Sequence, residues 1–315
     1  PFWLLVCLWY GPLLKTGFEQ VRRVSLKVPK ENTTELAAGA PPCYNGPERK
    51  GTHMELEQLA QQAIAIVEQA GELIRSIPRP HVYTKEGHAN FVTEADMASQ
   101  RFLIERLSPL LPEAHFFAEE QEENKMAPGW NWVIDPIDGT TNFIRGYRPS
   151  SISVGLVKDG VGMLGIVLDP FAGELFSAVK GGGAFRNGEP IHVADIPLEN
   201  ALVAFGTAPY YQELKDATFA VAKELGVRCG DLRRSGSAAV DLCHLAAGQL
   251  DGFFELRLSP WDYAASTVIL QEAGAGTGTA PGQAFAFEEK QPFLAGTPGV
   301  YPLLEELAGK YLAQL

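Results

Sequence analysis

The sequence predicts an α+β fold built in layers. Three observations carry that reading. Apolar residues recur at helical spacing from Met54; the middle of the chain is a series of apolar, β-branched runs separated by Asp-Gly, Asp-Pro and Asn-Gly; and the later half mixes helical stretches with short strands.

Taken in order, the elements follow from local pattern. From Met54 the apolar residues fall at 56, 59, 63, 66, 70 and 73, the spacing of one buried helix face. After the extended stretch NFVT a second helix is predicted from Ala95 to Leu107, with Leu103, Ile104 and Leu107 on one side. FFAEE and WVID read as short buried strands, each apolar run ending in acid. SSISVGLVKDG, VGMLGIVLDP and ELFSAVKGGGAFRNGEPI read as antiparallel strands with turn residues between them. Beyond these, SAAVDLCHLAAGQL and YAASTVILQEAG are helical, whereas LVAF, GFFEL and PFLAG are strand-like. The stretch GAGTGT, Gly274 to Thr279, lacks GxGxxG spacing and reads as a loop.

Residues 1–53 differ in texture. PFWLLVCLWYGPLL is too short for an ordinary membrane span and lacks the basic residues that precede the apolar part of a secretion signal. A polar, turn-rich stretch without period follows it. Residues 1–53 are therefore expected to be a non-native or disordered upstream extension, with a hydrophobic anchor and linker as the rival reading, and residues 54–315 to be the catalytic domain.

The 315 residues carry 26 basic and 38 acidic side chains, a net charge of −12. Such a balance argues against nucleic acid as the main partner, because phosphate backbones are bound through Lys and Arg. No membrane partner is expected either. Four cysteines, Cys7, Cys43, Cys229 and Cys243, form no CxxC pair, so neither a disulfide framework nor a structural zinc site is suggested, and a reducing, cytoplasmic setting is expected. The six histidines show no HExxH, and no GxxxxGK[ST] occurs.

Acids end several of the predicted strands: Glu119 and Glu120 after HFFA, Asp135 and Asp138 after WNWVI, and Asp262 after SPW. Strand ends lie along one rim of a sheet, so acids distant in sequence can meet there. Four or five carboxylates without basic neighbours repel one another unless a cation neutralises them, and hard oxygen donors suit Mg²⁺ or Mn²⁺.

DPIDGTTNF resembles the first signature of the inositol monophosphatase family, the lithium-sensitive, magnesium-dependent phosphomonoesterases. In order along the chain, KEGHANFVTEAD resembles the family's mobile loop, beginning at Lys85, and its VTxxD stretch; AEE follows; and WDYAAS resembles WDxAAG. The resemblance implies the layered α-β-α-β-α sandwich of the sugar phosphatases and a homodimer. It further implies that Glu119, Asp135 and the Ile137 carbonyl ligate one metal, that Asp135, Asp138 and Asp262 ligate a second, and that a third ion sits near Glu119. By the same resemblance Glu119 and Thr140 activate the attacking water, and Asp138 passes a proton towards the leaving alkoxide. The amides of Gly139 and Thr140 would hold phosphate oxygens, and Glu255 with the backbone of Ala238 would hold the substrate's hydroxyls. Pro136 would fix the backbone between the two aspartates. The expected substrate is a small phosphate monoester, inositol 1-phosphate first, with a broader sugar-phosphate, fructose 1,6-bisphosphate or NADP phosphatase as alternatives, and an inactive binding scaffold as the third reading. TTN after DPIDG is more like the inositol phosphatases than the bisphosphate nucleotidases. Three residues depart from the family pattern: Ala118 and Ser266 where glycine is common, and Asn90 where Asp often precedes VT.

Overall fold

The computed structural model describes residues 49–77, 80–85, 91–121, 125–283 and 285–314. Residues 1–48 of the expected upstream extension lie outside this set, as do residues 86–90 of the expected mobile loop, Asn90 included.

Helix α1 (Arg49–Arg75) begins ahead of Met54. Its buried line is Leu56, Ala60, Ala63, Val67, Ala70 and Ile74, with Leu59 and Ile66 at the margin, a face rotated from the one the apolar spacing predicts. The cause is close packing at one point: a Cβ at Gly71 would lie 2.7 Å from Leu168 Cδ2, so the helix approaches the sheet along the Gly71 side and leaves Leu73 and Ile66 half-buried. A short hairpin of β1 (Val82–Thr84) and β2 (Phe91–Thr93) leads to α2 (Glu94–Leu107). Thr93 caps α2 in a reciprocal box with Asp96, satisfying amides that the first helical turn leaves open.

Strands β3 (His115–Ala118), β4 (Trp130–Asp138), β5 (Ser151–Lys158), β6 (Val161–Asp169), β7 (Glu174–Val179), β8 (Ala184–Arg186) and β9 (Glu189–Ile191) form a seven-stranded sheet in sequence order, with the six-residue helix α3 (Thr140–Arg145) between β4 and β5. Only β3 and β4 pair in parallel; the remaining neighbours are antiparallel, as the turn signals predict. A second sheet has the order β11-β10-β12-β14-β13 and is built from β10 (Leu202–Phe205), β11 (Asp231–Arg233), β12 (Gly252–Leu258), β13 (Gly276–Gly278) and β14 (Gln291–Gly296). Helices α4 (Lys215–Arg228), α5 (Ala238–Ala246), α6 (Pro260–Glu272) and α7 (Tyr301–Leu312) complete the chain. The GAGTGT stretch thus supplies an edge strand rather than a loop. Gly276 and Gly278 are there because Tyr301 lies on them: a Cβ at Gly278 would meet the Tyr301 hydroxyl at 2.3 Å.

Period-two alternation divides the strands between layers. On β4, Trp132 and Ile134 join the apolar cluster under α1 and α2, whereas Val133 joins the cluster around α5 and α6. On β12, Phe253 faces that same middle cluster and Phe254 the one under α4 and α7. The result is five layers, α1/α2, the seven-stranded sheet, α5/α6, the five-stranded sheet and α4/α7, which is the α+β sandwich expected. Helix α6 sits unusually close to the larger sheet. Gly155 on β5 and Gly165 on β6 are register partners, and a Cβ at Gly165 would lie 2.1 Å from the Ala265 carbonyl oxygen. Ser266 is buried and donates to the Ala239 carbonyl at 3.3 Å, so a side chain is accommodated there through a bond to α5. No helix among the described residues is long and apolar enough to cross a membrane.

Candidate active site

Asp135 and Asp138 are three apart, and in a regular strand they would point to opposite faces. The ladder to β5 explains why they do not. Asp135 pairs with Ser153 and Asp138 with Ser151, so Pro136 and Ile137 together oppose the single residue Ile152. That bulge, at a proline which has no N–H to lose, turns both acids to the side of α5 and α6. Ile137 itself packs in the cluster under α1 and α2, and its N–H donates to Asp135 Oδ1 at 2.9 Å.

Three elements then converge. Asp262 is the third residue of α6, where it accepts the Ser259 N–H at 3.1 Å in a capping box. Asp138 Oδ2 accepts the Ser237 hydroxyl at 2.5 Å and the Ala239 N–H at 2.8 Å, so it serves the start of α5. Ligand oxygens of Asp135, Asp138 and Asp262 lie within 4.8 Å of one another. Glu119 follows β3, its N–H donating to the Ile134 carbonyl at 3.1 Å, and lines the same cavity of about 310 Å³. Its carboxylate accepts Lys85 Nζ at 3.3 Å, and Lys85 also reaches Glu120 at 2.5 Å. Ala118, in place of a glycine, is fully buried at the end of β3.

The electrostatics of the cluster are adverse for a protein alone. Burial, then Glu119, Asp138 and Asp262, pushes Asp135 well above the usual carboxylate range. Burial, then Asp138, Glu119 and Glu255, does the same to Asp262. Burial lifts Asp138 to about 6 against its hydrogen bonds from Ser237 and Ala239. Hard oxygen donors so close together, each resisting ionisation, fit a divalent cation, whose attraction would offset both the burial and the mutual repulsion.

The cavity also takes in Gly139, Thr140, Ala238 and Glu255, so the residues expected from the sequence are brought to one place. Gly139 has a φ of 84° and would meet the carbonyls of Gly236 and Pro149 at 3.1 and 3.2 Å if it carried a Cβ, so conformation and space both call for glycine. The Thr140 hydroxyl lies 3.1 Å from the Ile137 carbonyl and 3.3 Å from Asp96 Oδ1. Glu255 on β12 is buried, accepts the Ala208 N–H at 2.7 Å and is pushed by burial to about 7. Sequence reasoning reaches Asp96 only as the end of the VTxxD stretch, without a role, and misses Ser237, Tyr210 and Arg234. Asp96 had a signal in VTEAD, where a threonine is followed three residues later by an acid. The others had none, because a loop residue's direction is not written in any period. A larger hollow of about 760 Å³ beside Arg257, Lys290 and Glu289 holds none of the clustered acids.

A sequence model of the inositol monophosphatase family matches residues 55–313. This chain belongs to that family. Its members are phosphatases that hydrolyse phosphate monoesters, and this chain is one of them. Among similar proteins, the inositol-1-monophosphatase of Bacillus subtilis is 34% identical over 71% of this chain and 86% of its own length. A fructose-1,6-bisphosphatase/inositol-1-monophosphatase of Aquifex aeolicus is 34% identical over 72% of this chain and 85% of its own. The solved inositol monophosphatase of Thermotoga maritima superposes with a TM-score of 0.73 at 30% identity, covering 82% of this chain and 99% of that one. The five layers above are thus those of a known phosphatase fold.

Proposed function

We propose that this phosphatase hydrolyses inositol 1-phosphate in a Mg²⁺-dependent reaction. The observation that carries the reading is the bulge in β4, which gathers Asp135 and Asp138 with Asp262 in a cavity that also holds Glu255. Asp135, Asp138, Asp262, Glu119 and the Ile137 carbonyl would hold two or three ions, Mg²⁺ or Mn²⁺. Such ions, when bound, neutralise phosphoryl charge and make water acidic enough to attack at neutral pH.

The remaining steps belong to side chains of this chain. The Thr140 hydroxyl, placed between the Ile137 carbonyl and Asp96, orients the attacking water together with Glu119. Amides of Gly139 and Thr140 face the phosphoryl oxygens. Asp138 passes a proton towards the leaving alkoxide through water. Glu255 and the Ala238 backbone accept and direct the hydroxyls of the leaving polyol. Lys85, which bonds Glu119 and Glu120, belongs to the segment that would move over the site.

The relative from Aquifex, named for two activities, favours a second reading in which a wider set of sugar phosphates is accepted. Phosphate release from inositol 1-phosphate, fructose 1,6-bisphosphate and NADP, with Mg²⁺ and with chelator, tests both. The first reading requires inositol 1-phosphate to have the highest kcat/KM and chelator to abolish turnover; equal rates on all three support the second. No metal-dependent release from any of them would overturn both readings of the substrate. Two buried free cysteines, Cys229 and Cys243, support a cytoplasmic setting, and family membership supports a homodimer and inhibition by lithium.

A further inference from the structure

Residues 206–211 follow β10 and pass beside Glu255. The segment is tied at both ends. Gly206 N–H donates to the Phe254 carbonyl at 2.9 Å, Tyr211 N–H donates to the Ala208 carbonyl at 2.9 Å, and the Arg257 guanidinium lies 4.9 Å from the centre of the Tyr211 ring. Between the ties Ala208 has a φ of 41°, a left-handed conformation that is unfavourable for a residue with a Cβ. That turn is what aims the Ala208 N–H at Glu255 Oε1.

Gly206 has a different reason for being glycine. Its φ is not positive, so its backbone conformation is open to other residues. Space is what excludes them: a Cβ at 206 would lie 1.8 Å from Glu255 Oε2, 2.0 Å from Cδ and 2.6 Å from Oε1. All three, the nearest atoms to that position, belong to the end of a flexible side chain. An added methyl is therefore relieved by rotating the carboxylate, not by moving a strand.

We propose that Gly206 and the Ala208 N–H are positioning elements that hold the Glu255 carboxylate towards the hydroxyl-bearing part of the substrate, and so set selectivity for polyol phosphates over simple phosphate esters. The proposal rests on the reading of Glu255 given above. Residue 206 does not touch substrate in this scheme. It acts through Glu255 by leaving the carboxylate its place, while Ala208 fixes which way that carboxylate turns.

The test is the ratio of kcat/KM on inositol 1-phosphate to that on p-nitrophenyl phosphate, at saturating Mg²⁺, for wild type, Glu255→Gln, Gly206→Ala and the double variant. Both single changes are expected to lower the ratio about tenfold or more, the size of effect a charged hydrogen bond carries. The double variant is expected to fall no lower than Glu255→Gln, because the second change acts on a group already lost. Additive losses would overturn the proposal, as would a Gly206→Ala ratio equal to wild type when Glu255→Gln has lowered it; the substrate reading would survive both. An unchanged ratio in Glu255→Gln would instead remove the substrate reading and the selectivity role with it. A crystal structure of Gly206→Ala then decides the positioning alone, and an unmoved carboxylate overturns it. If Gly206→Ala does not fold, the melt of Gly206→Ala/Glu255→Ala decides: recovery means the clash was with the carboxylate, and failure of both means it was not.

Discussion

The two sheets contribute to the cavity in different ways. The seven-stranded sheet brings acids to one another: Glu119, Asp135 and Asp138 leave its strand ends and meet Asp262, and each raises its neighbours. The five-stranded sheet brings one acid, Glu255, and holds it with a single backbone N–H. Crowding on the first side is useful only to something positively charged that all substrates share. The lone acceptor on the second side suits a feature that some substrates have and others lack. On the function proposed above, chemistry and choice of substrate are thus placed on separate sheets.

The sharpest way to break this division is Asp135→Asn. Losing the central carboxylate should lower Mg²⁺-dependent turnover by about 10³-fold on every substrate, the scale of removing a key electrostatic group. The melting temperature in chelator should hold or rise, because one repulsive charge has gone; activity within tenfold of wild type would sink the metal assignment. Glu255→Gln should give a smaller and selective loss, about ten- to a hundredfold on inositol 1-phosphate with little change on p-nitrophenyl phosphate. Equal losses on both would mean that Glu255 supports the acid cluster and the division is wrong.

Gly165→Ala probes how the larger sheet seats Asp262. Its new methyl would overlap the Ala265 carbonyl and push α6 outward, destabilising the protein by about 1–3 kcal/mol in urea titration and lowering kcat on all substrates. Gly155→Ala, whose Cβ would stand 3.0 Å from the Ala265 N, should cost less.

Titration of the metal-free protein compares the two sides directly. Asp138 and Glu255 have folded pKa values of about 6 and about 7, above the ordinary 3.8 and 4.5. A carboxyl raised in this way gives stability that is fully present below its unfolded pKa and is lost as pH rises through the folded one. In chelator the melting temperature should therefore fall between about pH 4 and pH 7. Saturating Mg²⁺ should flatten that fall, and a rise across the window would contradict the adverse electrostatics. The smallest effect is expected from removing residues 1–46, which leaves α1 whole: turnover should stay within about twofold of the full chain. A large loss would make the upstream segment part of the catalytic unit.

Much of this was legible in the sequence for a physical reason. Turn residues between β5, β6 and β7 announced the antiparallel ladder, and the acids after HFFA and WNWVI announced the rim. What escaped was set by contact rather than pattern. The α1 face is displaced because Gly71 lets Leu168 and Pro170 approach. Strand β13 was hidden by glycines that Tyr301 demands. Helix α4 buries mostly small residues, Ala217, Thr218 and Ala222 with Val221 and Leu225, and leaves Phe219 and Val227 exposed, so its apolar residues do not report its inner face. Tyr210 and Ala208 belong to a loop that meets a carboxylate on another strand, a contact no local pattern reports.

The bulge at Pro136 and Ile137 can also be judged by what a simpler strand would have achieved. Two aspartates separated by one residue would already lie on the same face of a flat, fully paired ladder, with one residue fewer. Aligning the acids therefore does not require the extra residue. Its distinct product is a stretch of main chain released from the ladder: the Pro136 carbonyl turns to Ser99, the Ile137 N–H to Asp135, and the Ile137 carbonyl to Thr140. The inserted residue gives the site a backbone oxygen, an acceptor that no substitution at position 137 can delete and that evolution could remove only by changing the length of the strand.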